Sequence, residues 1–334
     1  MYKVKVSICD DATQFIRQTP GNNGFWRNYR FYVNDDIKEA DFWVIVSKGR
    51  RKDETCNIAP ENTIFINGEP DSVYHYADNF IKQFGIVIAP TAKIKHNKII
   101  KGQAGLLWYL GVCFNNDGTR SIDSSKNYDY YKTNVQHKEK LISVISSNLA
   151  ITEGHVERIE FIKKLKEHYG DKLDLFGRGF NNIEDKWNAI APYKYHIVIE
   201  NSSYPNYWTE KIADPILVNS YPIYYGCTNL NDYFPKNSFT YIDIKNPNEA
   251  IKIIDETIQK DYAIKYSKEM ADAKELLLDK HNICNIIADL CDNLNPSLEK
   301  TNYTIKNELS YLNTNKIKMM LSRTYYKLKS LIFQ

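Results

Sequence analysis

A lysine in the first turn of a helix is electrostatically out of place unless an anion sits nearby, and Glu210-Lys211 reads as such a turn. The pair lies in the stretch Tyr195 to Gly226, YHIVIENSSYPNYWTEKIADPILVNSYPIYYG, which reads as strand, loop, helix and strand. A unit of that kind sets a loop and a helix N-terminus at the carboxyl end of a strand, where open α/β sheets take ligands. Free backbone N–H groups and the helix dipole favour an anion there, and Lys211 adds a full positive charge. Glu210 can accept from sugar hydroxyls, while Tyr207 and Asn201 offer neutral polar contacts. These residue types describe a nucleoside diphosphate site. The same pattern also fits an ordinary βαβ unit with a surface lysine and glutamate.

The elements that must position these groups are legible locally. Ile197, Val198 and Ile199 form a short apolar run suited to a buried parallel strand, and Glu200-Asn201-Ser202-Ser203 breaks it. Thr209 can cap the helix, which carries Ile212, Ile216 and Leu217 on one face. Pro222 ends it and opens the next strand, Ile223-Tyr224-Tyr225. Pro215 conflicts with a regular helix. Either the helix is kinked, or its regular part begins at Asp214 with Pro215 in the first helical position.

Five blocks in this part of the chain follow one another in a fixed order: Tyr193-Lys194-Tyr195, Ile199-Glu200-Asn201-Ser202, Tyr207-Trp208-Thr209-Glu210-Lys211-Ile212, Tyr221-Pro222-Ile223-Tyr224-Tyr225-Gly226, and Tyr233-Phe234-Pro235 with Ser238-Phe239. Together they resemble glycosyltransferase family 10, the α-1,3/4-fucosyltransferases, in a bacterial form. The resemblance implies a GT-B architecture, two Rossmann-like α/β domains facing across a cleft. It implies GDP-fucose as donor, inversion at the transferred carbon and no required metal or cofactor. The absence of a D-x-D motif is consistent with that. By resemblance Arg158, at the start of the preceding helix, contacts the diphosphate, and Asn201, Tyr207, Glu210 and Lys211 complete the donor site. Gly68-Glu69 matches a short G-E motif of the family, which would make Glu69 the base on the acceptor hydroxyl. From the residues alone, Glu69 is a turn residue at a strand's carboxyl end and Arg158 a partner for Glu157 or Glu160. The expected acceptor is a glycan of lipopolysaccharide or capsule, joined in α-1,3 linkage. A related transferase using another nucleotide-deoxysugar, or a catalytically silent binding protein of the same fold, are the alternatives.

The whole chain frames these expectations. Its 334 residues suit two domains, and 43% apolar content can build both cores. A net charge of +3 leaves no nucleic-acid footprint. Six cysteines without C-x-x-C pairs point to reduced, structural thiols. No signal-like segment and no apolar 18-mer occur, which points to a cytoplasmic protein. Strands are expected at Tyr2–Ile8, 42–46, 63–66, 85–89, 141–145, 173–176 and 239–242. Helices are expected at about 72–83, 156–169, 183–191 and 248–258, and through 262–297. The run 91–102 reads as a basic loop, 106–114 as core, and 115–136 as a long linker. Gly177-Arg178-Gly179 would let a nucleoside approach the backbone. The expected division is an acceptor-side domain at 1–137, a nucleotide-sugar domain at 138–297 and a tail at 298–334. Within that tail, 316–333 has the spacing of a basic amphipathic helix that could lie on an anionic membrane or pack on the protein. Oligomeric state is not written in the sequence.

Overall fold

The computed structural model describes residues 1–69, 74–91, 94–103, 105–115, 118–148 and 153–314, and side chains at all of these except 153 and 312–314. The chain divides into two compact units, each α/β with its own largely parallel sheet, the composition of a GT-B protein.

The first unit holds Met1–Leu107, Asn127–Asp129 and the segment from Lys280. Its seven-stranded sheet runs Phe25–Trp26, Tyr29–Val33, Tyr2–Ser7, Phe42–Val46, Thr63–Ile66, Ile86–Ala89 and Ile99–Lys101. Every pairing is parallel except that of the two-residue edge strand Phe25–Trp26. Phe42 to Val46 is buried at every position, the signature of a strand covered on both faces. Between 74 and 83 only Asp78–Ile81 is helical, a single turn where a longer helix is expected. The chain there is used instead to bury Tyr74, Tyr76, Phe80 and Phe84 against Phe65.

The second unit holds Trp108–Lys126 and Tyr130–Asp279. Its five strands are all parallel, in the order Leu173–Phe176, Lys140–Ile145, Tyr193–Ile199, Tyr221–Tyr225 and Thr240–Tyr241. Ile197 lies opposite Val144 on one side and Ile223 on the other. Alternation along these strands separates two faces. Ile142, Val144, Tyr195, Ile197 and Ile199 meet Phe161, Ile162 and Leu165 of the helix Glu153–Tyr169 and Ile254 of the helix Pro247–Gln259. The opposite face carries Ser143, His196, Val198 and Glu200 toward the helices Trp187–Ile190 and Glu210–Leu217. Ile212, Ile216 and Leu217 are fully buried, and burial of each stabilises by roughly 1.5–3 kcal/mol. Ile216→Ala would open a cavity at a cost of about 2–5 kcal/mol.

Pro215 sits inside the helix Glu210–Leu217, which Thr209 caps. The helix therefore runs through the proline and forgoes only the N–H that would bond the Lys211 carbonyl.

The unit boundaries differ from the expected ones. The helix Ile283–Asp292 belongs to the first unit, where Asn282 donates to the Gln18 carbonyl at 2.9 Å and Arg27 pairs with Asp289 at 2.7 Å. Residues 301–305 form a strand antiparallel to Glu54–Ile58 rather than part of a helical tail. Part of the expected linker is also ordered, as the strand Arg120–Ile122 and the helix Tyr128–Thr133. The amphipathic segment 316–333 lies outside the described residues. Among the described residues no helix is long and apolar enough to cross a membrane.

Candidate active site

Strand order fixes where the second unit can take a ligand. After Lys140–Ile145 the chain passes to Leu173–Phe176 on one side, then crosses to Tyr193–Ile199 on the other. The switch point lies between Lys140–Ile145 and Tyr193–Ile199, and the connections leaving their carboxyl ends diverge there. A cavity of about 240 Å³ opens at that place. Its walls include Ser146 and Ser147 from one strand end, Gly177 and Arg178 from the next, and Glu210 and Lys211 from the following helix.

Arg158 closes one side. The helix carrying it starts at Glu153, so Arg158 is in the second turn rather than the first. Its side chain is buried, with Nη1 donating to Asn201 Oδ1 at 2.8 Å and Nη2 to the Ser147 carbonyl at 3.2 Å. One guanidinium thus ties together the segments that follow two adjacent strands. Burial lowers its pKa to about 10, which leaves it charged at neutral pH. Gly154 permits the approach, since a Cβ there would stand 2.6 Å from the Asn201 carbonyl.

Thr209 organises the other side. Its hydroxyl accepts from the Lys211 backbone N–H at 3.2 Å and donates to Glu200, and its own N–H donates to Glu200 Oε1 at 2.8 Å. Glu200 is fully buried, and Lys211 Nζ lies 3.3 Å from its Oε2 and 3.5 Å from Glu210 Oε1. Burial raises the Glu200 pKa despite that ammonium. For Lys211, burial is outweighed by Glu200 and Glu210, which raise its pKa. The two directions agree physically: the carboxylate is enclosed, whereas the ammonium is still 29% exposed toward the cavity. Glu210 is pulled down to about 2, burial being overcome by Lys211 and Lys186.

The structure brings Arg158, Asn201, Glu210 and Lys211 together, with Arg158, Glu210 and Lys211 in the cavity wall and Asn201 held by Arg158. Tyr207 is buried just before Thr209, its ring 4.9 Å from that of Tyr204, and is not among the wall residues. Glu69 belongs to the first unit, past the carboxyl end of Thr63–Ile66, where its N–H donates to Asn67 Oδ1 at 3.1 Å. After burial, the charge of Glu69 is the main influence raising the Tyr76 phenol.

Among the wall residues, Lys186, His196 and Asp214 were not foreseen, whereas Gly177 and Arg178 belong to the turn expected to meet the nucleoside. Lys186 reaches Glu210 at 3.2 Å and the buried Asp214 at 3.5 Å, and Arg178 contributes a further cation. His196 lines the cavity floor. The cation at a helix start that flags Lys211 also describes Lys186, which precedes Trp187–Ile190. A histidine in an apolar strand was the available signal for His196. Gly177 serves packing: at φ 113° its Cβ would stand 1.9 Å from the Ser146 carbonyl. In all, four cations face two carboxylates in the wall, a balance that favours an anion.

Residues 135–309, more than half of the chain, match the family model described as glycosyltransferase family 10 (fucosyltransferase), C-terminal part. Over 110 residues the chain is 27% identical to GDP-fucose protein O-fucosyltransferase 3 of Danio rerio, covering 29% of this chain and 23% of that protein. Over 128 residues it is 28% identical to 4-galactosyl-N-acetylglucosaminide 3-alpha-L-fucosyltransferase 9 of Mus musculus, covering 36% of this chain and 34% of that protein. The matched stretches thus span between 23% and 34% of these relatives' length. A crystal structure of an alpha1,3-fucosyltransferase with GDP-fucose aligns over 97% of this chain and 90% of that one, with a TM-score of 0.47 and 16% identity.

Proposed function

This chain belongs to glycosyltransferase family 10, and we propose that it transfers fucose from GDP-fucose to a hydroxyl of a glycan. The observation that carries the proposal is the cationic cavity at the switch point, with Arg158 locked to Asn201 and Lys211 at a helix N-terminus. The diphosphate would lie against Lys211, Arg158 and the N–H groups that begin the helix Glu210–Leu217. These groups stabilise negative charge that grows as the bond between the sugar carbon and the phosphate oxygen breaks. The acceptor oxygen forms its bond to that carbon from the opposite face, inverting it. Its proton passes to Glu69, and GDP leaves with the electron pair. Charge neutralisation by side chains makes the reaction independent of an added metal. Relatives named 3-alpha-L-fucosyltransferases support O3 of the acceptor sugar as the attacking oxygen.

The test is release of nucleoside diphosphate from GDP-, UDP- and CMP-sugars with EDTA present. GDP release from GDP-fucose alone supports the proposal. Release from another donor discards the fucosyl assignment, and no release or nucleotide binding at all refutes it. The stretch 316–333, rich in lysine and free of acids, is the proposed contact with an anionic membrane surface on its cytoplasmic side. Cosedimentation of the full chain with anionic but not neutral vesicles tests that, and loss of cosedimentation on deleting 316–333 is the expected result.

A further inference from the structure

The floor of the cavity is unlike its rim. Arg158, Arg178, Lys186 and Lys211 set charge around the opening, whereas Ile145, Ile190 and Val198 lead down to His196. His196 is 4% exposed and lies three residues back along its strand from Ile199, about 10 Å by the rise of a strand.

Its protonation state follows from its neighbours. Ser143 Oγ lies 2.6 Å from the Ala189 carbonyl and 2.8 Å from His196 Nδ1. A hydroxyl has one proton, and the Ala189 carbonyl can only accept, so the serine proton goes there. Nδ1 must then carry the imidazole hydrogen and donate it to Ser143 Oγ. Nε2 is left as a bare acceptor, with no hydrogen-bond partner among the described residues. Burial, reinforced by the charges of Lys186 and Lys138, lowers the imidazole pKa to about 3. The ring stays neutral under any ordinary condition.

We propose that His196 Nε2 accepts a hydrogen bond from the N1–H of guanine and thereby selects the base of the donor nucleotide, an inference that rests on the donor-site reading above. Ile145, Ile190 and Val198 give the cavity apolar walls beside His196, and the roughly 10 Å of strand between Ile199 and His196 is on the order of the reach from a diphosphate to the far edge of a base. N1–H is a donor on guanine and is absent from adenine, whose N1 lone pair would oppose that of Nε2.

The test is calorimetric titration of the full chain with GDP, N1-methyl-GDP, ADP and inorganic pyrophosphate, repeated on His196→Leu. The hydrogen bond predicts that N1-methyl-GDP binds the unaltered chain roughly tenfold more weakly than GDP does. His196→Leu should weaken GDP by a similar factor while leaving N1-methyl-GDP and pyrophosphate unchanged. His196→Gln, which keeps an acceptor, should recover part of the loss. Equal weakening of GDP and N1-methyl-GDP by His196→Leu would make the residue merely structural and overturn the inference. So would equal binding of both nucleotides by the unaltered chain, a result that needs no variant to fold. Failure of GDP and pyrophosphate alike to bind the unaltered chain refutes the donor-site reading itself.

Discussion

Replacing Lys211 by methionine separates its two roles. The residue neutralises Glu200 and, on the proposed function, also holds the diphosphate. Breaking a fully buried ion pair costs about 3–5 kcal/mol, and an exposed one about 0–1 kcal/mol. Glu200 is fully enclosed but Lys211 is 29% exposed, so we expect Lys211→Met to destabilise by about 2 kcal/mol near neutral pH. The loss has a definite pH dependence. The Glu200 pKa is already raised by burial, and removing the ammonium raises it further. A carboxyl with a raised folded-state pKa binds a proton more readily folded than unfolded, so stability is lost as pH rises through that pKa. The destabilisation should therefore be larger at about pH 8 than at about pH 5, where protonation removes the unpaired charge. Chemical denaturation at both pH values measures it, with the unaltered chain in parallel. Adding Glu200→Gln to Lys211→Met should restore most of the stability, because no buried charge is then left alone. GDP affinity should stay at least about tenfold reduced in that double variant. A destabilisation that is independent of pH, or larger at low pH, would refute the ion-pair reasoning.

Glu69→Gln should lower the rate of transfer to an acceptor by roughly 10²–10⁴ while leaving GDP affinity unchanged, as steady-state rates and calorimetry can show. Arg158→Lys should weaken GDP about tenfold, because an ammonium cannot hold Asn201 and the Ser147 carbonyl in the same fork. Gly154→Ala should lower the unfolding free energy by about 1–3 kcal/mol, since its Cβ would meet the Asn201 carbonyl at 2.6 Å. In the cavity wall His196 sits at about 3 and Arg158 at about 10. GDP affinity should accordingly vary less than about threefold between about pH 7 and pH 9 in calorimetric titrations.

Local pattern carried the site-bearing unit further than the rest. Ile197-Val198-Ile199, the Thr209 cap and the apolar face of Ile212, Ile216 and Leu217 each write their structure in their own residue types, and all three stand as expected. The join between Arg158 and Asn201 is 43 residues long in sequence, and only the sheet order brings the pair together. Lys186 and His196 escaped notice for different reasons. Lys186 falls inside the helix expected at 183–191, whereas the helix is the single turn Trp187–Ile190 and Lys186 stands at its start. His196 is chemically defined by Ser143 on a neighbouring strand, a relation that no local spacing contains. The helix Ile283–Asp292 shows a third case: its apolar stripe announced a helix but not that it packs with the first unit, which long-range partners such as Gln18 decide.

Amide hydrogen exchange of the full chain, with and without GDP in EDTA, tests the central claim most directly. A nucleotide in the cavity predicts slowed exchange in the segments 145–148, 177–179, 200–202 and 209–212, with little change around the strand 301–305. Protection confined to other segments, or none at saturating GDP, would contradict the assignment of this cavity as the donor site.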